Sequence, residues 1–303
     1  MDLSIFVGNQ YNFNKMKKIL VPVDLSPHSD TVCRYALEIA KKNGGEIRLF
    51  HAYFDFLIAT SSTFPYTIET NEMFNQEMMV KIKEDAKVDL LKLQKKMLDE
   101  VTEAGIKNVK VVYTLTGGVP EDEILNISET WVPDLIVIGT RGKGEKDILT
   151  GKVSSKVVQN ALCRLLTVPR NAQYHGFKNV LYATDLKGED IHALQTLIEL
   201  VSNYKPVIHC IHVDVDNDPS PDRSKMDELK TKFSKEAGDG NIVFDVVCGD
   251  DFLTCLDGYV GEKNIDLVAV VNHRKSFLKR LFTIDHTRQL LFHSDLPLYI
   301  FPG

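Results

Sequence analysis

A chain of 303 residues with 44% apolar and 26% charged side chains has the composition of an ordinary globular protein, with length for two cores of about 150 residues each. A formal charge of −6 and an isoelectric point near 5.9 lack the basic footprint of a nucleic-acid binder, so no nucleic-acid partner is expected. No stretch approaches the roughly 18 consecutive apolar residues of a membrane span, so no membrane partner is expected either.

Residues 1–15 carry only a short apolar patch, Ile5 to Val7, with no basic start and no cleavage-like tail. They read as a loose extension rather than a secretory signal. The five cysteines, Cys33, Cys163, Cys210, Cys248 and Cys255, form no Cys-x-x-Cys pair and are odd in number. Free, mostly buried thiols in a reducing compartment are expected, and hence a cytoplasmic protein.

Folded structure is expected from Met16 onward. Ile19 to Val23 is a short β-branched run that ends in Asp24, which reads as a buried strand delivering a carboxylate to its C-terminal end. Ser26 is the expected cap of the next helix, Pro27 its first residue and Asn43-Gly44 its stop. Val32, Tyr35, Ala36, Ile39 and Ala40 supply its apolar stripe. A second strand spans Ile47 to Tyr53. Residues 71–104 then form a long amphipathic helix, with Met79, Ile82, Ala86, Leu90, Leu93, Met97 and Val101 three and four apart. It reads as an insertion, core-facing in the main, whose early turns could contact the other half of the chain. A strand at Val109 to Leu115, a helix at Glu121 to Thr130 and a fourth strand at Pro133 to Ile138 follow. A helix from about Lys152 to Leu162 and a strand at Leu165 to Val168 complete the set.

The order then repeats. Val180 to Thr184 ends in Asp185, and Val207 to Val213 matches Ile47 to Tyr53. From Asp24 to His51 is 27 positions, and from Asp185 to His212 is again 27. Ile242 to Val247, Phe252 to Glu262, Ile265 to Val271 and Pro297 to Phe301 match the remaining elements. Strand–helix alternation of this kind gives an α/β fold with a parallel sheet and helices on both faces. Two copies imply two tandem domains, 16–172 and 173–303, each an open parallel sheet. The edges at Leu165 to Val168 and Pro297 to Phe301 are the natural place for the copies to pair within the chain. His209, Cys210 and His212 resemble metal ligands, but alternate strand residues face opposite ways, so no metal site is assigned.

Ligands of open parallel sheets bind outside the carboxyl ends of the strands, where strand order reverses. In the first copy that edge receives Pro22, Val23 and Asp24, then Ala52, then Gly139, Thr140, Arg141 and Gly142. Gly151, Lys152, Val153 and Ser154 open the next helix. Bare glycine amides, a helix N-terminus and the cations Arg141, Lys143, Lys146 and Lys152 make a phosphate cradle. A generic glycine turn with solvated lysines would look the same at this level.

Ile19 to Ser26, Phe50-His51-Ala52, Asp134 to Gly142 and Leu165 to Pro169 together resemble the universal stress protein family, and the resemblance covers nearly the whole chain as two repeats. It implies two Rossmann-like domains of the adenine-nucleotide α-hydrolase type. It further implies a stress-response regulatory protein whose first domain binds ATP through a Gly-x2-Gly-x9-Gly-Ser/Thr loop. Carried over, Gly139, Gly142 and Gly151 are the three glycines. Asp24 lies near ribose and adenine, the Ala52 backbone meets adenine, and Ser154 meets phosphate. The spacer from Lys143 to Thr150 has eight residues instead of nine, Lys152 replaces the hydroxyl residue, and Arg164 stands where the family has proline. Asp24 could hold Mg2+ with the phosphates, although a structural carboxylate explains it equally.

The second copy reads Asn272-His273-Arg274-Lys275-Ser276 after its fourth strand, with no glycine before Pro302. It is expected to bind no phosphate, and its basic run, continued by Lys279-Arg280, reads as a solvated face. No catalytic residue is assigned, because no base, nucleophile or metal set accompanies the loop. ATP hydrolysis is expected to be slow at most. The alternative is a dimerisation or interaction scaffold with a vestigial cleft. An adenylate-transferring enzyme is disfavoured, since Asp24 to Ser29 matches neither loop such enzymes use after the first strand.

Overall fold

A computed structural model describes residues 17–53, 72–140, 152–186, 190–215, 219–272 and 296–302. The first half comprises β1 (Lys18–Pro22), α1 (His28–Asn43), β2 (Gly45–Tyr53), α2 (Glu72–Glu103), β3 (Val109–Gly117), α3 (Pro120–Trp131), β4 (Leu135–Gly139), α4 (Lys152–Asn160) and β5 (Arg164–Val168). The second comprises β6 (Asn179–Ala183), α5 (Asp190–Val201), β7 (Val207–Asp214), α6 (Pro219–Lys232), α7 (Ser234–Gly238), β8 (Ile242–Cys248), α8 (Phe252–Lys263), β9 (Leu267–Asn272) and β10 (Leu298–Pro302).

The strands lie in the order β3-β2-β1-β4-β5-β10-β9-β6-β7-β8. Every neighbouring pair is parallel except β5 with β10, which run antiparallel with Tyr299 opposite Leu166. The two parallel sheets of the repeat thus join at the expected edges, β5 and β10, into one sheet of ten strands. The reason is the unpaired backbone at each open edge, which the other copy satisfies.

Alternation along the strands sends Ile19 and Val21 to one face and Leu20 to the other. One face packs against α1, α2, α5 and α6 through Val32, Leu90, Leu194 and Met226. The opposite face packs against α3, α4 and α8 through Ile124, Val157 and Leu256. Between the halves, Tyr35, Tyr174, Phe177 and Tyr204 stack edge to face at 5.1, 5.7 and 5.0 Å. Tyr204 donates to the carbonyl of Glu38, tying the second half to α1.

Three sequence expectations change. Ser26 does not cap α1 through its side chain; Pro27 occupies the cap position, and the Ser26 hydroxyl is spent on Asp24. The helix expected to reach Leu162 ends at Asn160. The helix after the second strand is not an insertion without counterpart, since α6 fills the equivalent place, although with 14 residues against 32 in α2. From Ala86 to Val101, α2 buries the expected stripe against β2 and β3.

The same device holds the base of each half. Asp134 accepts the amides of Lys17 and Lys18, and Asp266 accepts those of Lys178 and Asn179. Just before each aspartate, a helix ends on a left-handed residue: Val132 at φ 49° after α3, and Asn264 at φ 50° after α8. Asparagine tolerates this conformation, whereas a β-branched valine is strained in it. Val132 is 65% exposed and has little packing to lose. Val132→Asn is therefore expected to stabilise the protein by about 1 kcal/mol, seen as a higher thermal midpoint. A fall in that midpoint would contradict the strain argument.

Candidate functional site

Strand order reverses between β1 and β4, so their carboxyl ends open a crevice, with β2 beside β1 and the start of α4 beyond β4. The structure brings Pro22, Val23, Asp24, Ala52, Gly139, Thr140, Val153 and Ser154 to this edge on those elements. Lys152 begins α4. Arg141, Gly142 and Gly151 lie outside the described residues, as do Lys143 and Lys146.

Asp24 is set by a sharp local turn. Leu25 after it adopts φ 58°, a conformation that costs a non-glycine residue about 1–2 kcal/mol. Its counterpart Leu186 does the same at φ 56°. The turn directs the Ser26 amide, the Ser26 hydroxyl and the Ser29 hydroxyl onto Asp24 Oδ1 at 3.0, 2.7 and 3.0 Å. Burial opposes ionisation of this carboxyl, but the three donors outweigh it and hold Asp24 below its ordinary range.

His51 on β2 donates from Nδ1 to the carbonyl of Val23 at 2.7 Å. His212 donates likewise to Thr184 at 2.9 Å. The repeated 27-residue spacing thus reflects a repeated strand-end clamp. Burial lowers the pKa of His51 in spite of that bond.

On the β4 side, Gly139 leaves room for a neighbour. A Cβ on Gly139 would lie 3.3 Å from His28 Cε1 and from Val32 Cγ2, so these side chains occupy the space a larger residue would need. Thr140 donates its amide to the Val168 carbonyl, and Ser154 donates its hydroxyl to the Thr140 carbonyl at 3.1 Å. The Ser154 proton expected for a phosphate is thereby engaged in docking α4 onto β4.

The pattern of unsatisfied groups singles this edge out. Among the described residues, six buried side-chain N or O atoms lack a hydrogen-bond partner, and four of them are here: Asp24 Oδ2, His28 Nδ1, His28 Nε2 and Thr140 Oγ1. A buried polar atom without a partner costs about 1–3 kcal/mol, so such a cluster in a crevice marks a place built to meet something polar. Asp24 and Thr140 were legible in the sequence. His28 was not, although its place four residues after Asp24 at a helix start was a usable signal.

The second half closes the same space with its own side chains. Thr184 replaces Val23, and Asp190 replaces Ser29; Tyr182 and Thr184 both donate to Asp190 Oδ1. His209 meets the Tyr259 hydroxyl, and His212 Nε2 lies 3.2 Å from Asp222. No group of three His, Cys, Asp or Glu side chains suited to a metal occurs among the described residues. The basic run His273-Arg274-Lys275-Ser276 with Lys279-Arg280 lies outside them. All five cysteines are free, with Cys33 and Cys210 buried and Cys248 exposed. No described helix is long and apolar enough to cross a membrane.

Comparison with known proteins bears on the family of the chain and on its fold. The universal stress protein family model matches residues 15–169 and again 176–302. A universal stress protein of Methanocaldococcus jannaschii is 33% identical over 158 residues, which are 52% of this chain and 84% of the relative. One of Bacillus subtilis is 31% identical over 158 residues, 52% of this chain and 99% of the relative. The crystal structure of a universal stress protein from Archaeoglobus fulgidus superposes with a TM-score of 0.66 at 21% identity, covering 94% of this chain and 97% of that one. With one family domain matched in each half and a Rossmann-like α/β architecture in both, the chain belongs to the universal stress protein family and is of its tandem type.

Proposed function

We propose that this protein is a cytoplasmic stress-response regulator that binds ATP or a related adenine nucleotide in a first domain, residues 16–172, with little or no catalysis of its own. The second domain, 173–303, lends its edge strand and carries no nucleotide. The observation that carries this reading is the set of partnerless buried polar atoms at the β1–β4 crevice, Asp24 Oδ2 and Thr140 Oγ1 foremost. An adenine nucleotide presents the hydroxyls and oxyanions that such atoms and a helix N-terminus accept.

In this reading Pro22, Val23 and the Ala52 backbone flank the base, and Asp24 faces the ribose. Gly139, Thr140, Arg141, Gly142, Gly151, Lys152, Val153 and Ser154 surround the phosphates. ATP would supply a charged, hydrolysable ligand. The residues of the chain supply binding and orientation, and no side chain among them is arranged as nucleophile or base.

Equilibrium titration with a fluorescent ATP analogue tests the reading. Saturable binding is expected, weakened at least about tenfold by Gly142→Leu or Gly151→Leu, the loss of roughly 1.4 kcal/mol of contact. Unchanged affinity in both variants would overturn the pocket. No saturable binding up to millimolar nucleotide would favour the interaction scaffold.

A further inference from the structure

His28 is the side chain at this edge that nothing above employs. It sits in the first turn of α1, is 8% exposed, and neither ring nitrogen has a hydrogen-bond partner. A neutral imidazole has one N–H donor and one acceptor nitrogen, and an imidazolium has two donors. Leaving both nitrogens dry is costly in either state, unless something polar arrives to meet them. The ring is wedged against Gly139, with Nδ1 3.5 Å from the position a Cβ there would take. It therefore faces the end of β4, where the crevice begins. Its place in the first turn of α1 puts it at a helix end that favours negative charge.

Among the described residues, two charged groups act on His28. Asp24, from the turn after β1, favours the imidazolium; Arg170, from the segment after β5, disfavours it. On its other sides are Gly139 of β4 and Val32 of its own helix. Burial, the largest influence, keeps the ring below its ordinary pKa in spite of Asp24. His51 also senses Asp24, but its Nδ1 is committed to the Val23 carbonyl.

Resting on the nucleotide reading of the site, we propose that His28 couples binding to protonation: it takes up a proton as the anionic ligand enters, and affinity rises as pH falls. An oxyanion beside the ring supplies the missing acceptor and favours the cation, and the cation in turn offsets the Asp24 carboxylate against the phosphates. The proton comes from solvent, and no covalent bond changes. The sign follows from the two states. The pKa is lowered in the free protein and higher in the complex, so binding takes up to one proton between those values. In that window affinity changes by at most about tenfold per pH unit, and the dependence fades above and below it.

The test is calorimetric titration with ATP in EDTA, from pH 8.0 to 5.5, in two buffers of different ionisation enthalpy. Wild type, His28→Gln and His28→Asn are compared, so that protonation of ATP itself cancels. Wild type is expected to gain about tenfold more affinity over this range than either variant, with proton uptake approaching one. In case the variants fold poorly, the ring carbon-bound protons of His28 are followed by NMR in the wild type, where saturation with ATP should raise the His28 pKa. Equal pH dependence in wild type and folded variants, or a His28 pKa unmoved by ATP, would overturn the inference while leaving nucleotide binding intact. Absence of ATP binding at every pH would overturn both.

Discussion

Gly45→Ala is expected to destabilise the protein by at least about 3 kcal/mol, the range reached when backbone must move. Gly45 begins β2 at φ 120°, which L side chains rarely adopt. A Cβ there would lie 2.4 Å from the Lys17 carbonyl oxygen and 2.7 Å from the Lys17 Cα, and both belong to the backbone. Neither can rotate away as a side chain could. The same residues hold the sheet together: Gly45 donates to the Asn108 carbonyl, and Glu46 donates to that of Lys17. Alanine would thus pry β1 from β2 while straining its own backbone. Gly105 is the matched control, since it too has positive φ (64°) but nothing within 4 Å of its missing Cβ. Gly105→Ala should cost only the left-handed backbone, about 1–2 kcal/mol. Chemical denaturation of both variants checks this; a Gly45 penalty no greater than that of Gly105 would refute the steric account.

Tyr299→Ala is expected to cost about 3–5 kcal/mol, the usual toll for truncating a buried aromatic side chain. Tyr299 is 1% exposed on β10, with Leu166 of β5 on one side and Ala269 of β9 on the other. Its ring packs edge to face on Phe301 at 4.9 Å. Strand β10 is the one that joins the two halves, so the cavity falls beside the antiparallel seam. The loss should therefore appear twice, as a lower denaturation midpoint and as faster proteolysis between residues 169 and 176. Val243→Ala, at a site 42% exposed on β8, should change stability by less than about 0.5 kcal/mol. If Tyr299→Ala lowered the midpoint without exposing the connecting segment, the seam would not depend on this side chain.

Much of the architecture was legible because its causes are local. Short β-branched apolar runs such as Ile19-Leu20-Val21 and Val268-Ala269-Val270, bounded by turn residues, read as strands buried on both faces, as they are. A carboxylate at the end of each first strand, with a histidine 27 positions on, marked the repeat before its geometry was known. The glycine after Ile138 and the helix after residue 151 pointed to the crevice for the same reason, since strand ends and helix starts have their own residue preferences.

What the amino-acid order determined, then, is the doubled succession of strands and helices, the edge that each aspartate reaches, and the absence of phosphate-loop glycines from the second half. Tertiary structure decided the rest: that the paired edges β5 and β10 run antiparallel, and that His28 is buried against Gly139 with both nitrogens unmet. The division has one physical cause. Periodicity and turn chemistry act between residues a few positions apart, whereas pairing of edges and burial of a polar ring depend on partners more than a hundred positions away. Those partners, Leu166 for Tyr299 and Gly139 for His28, meet only once the chain has folded.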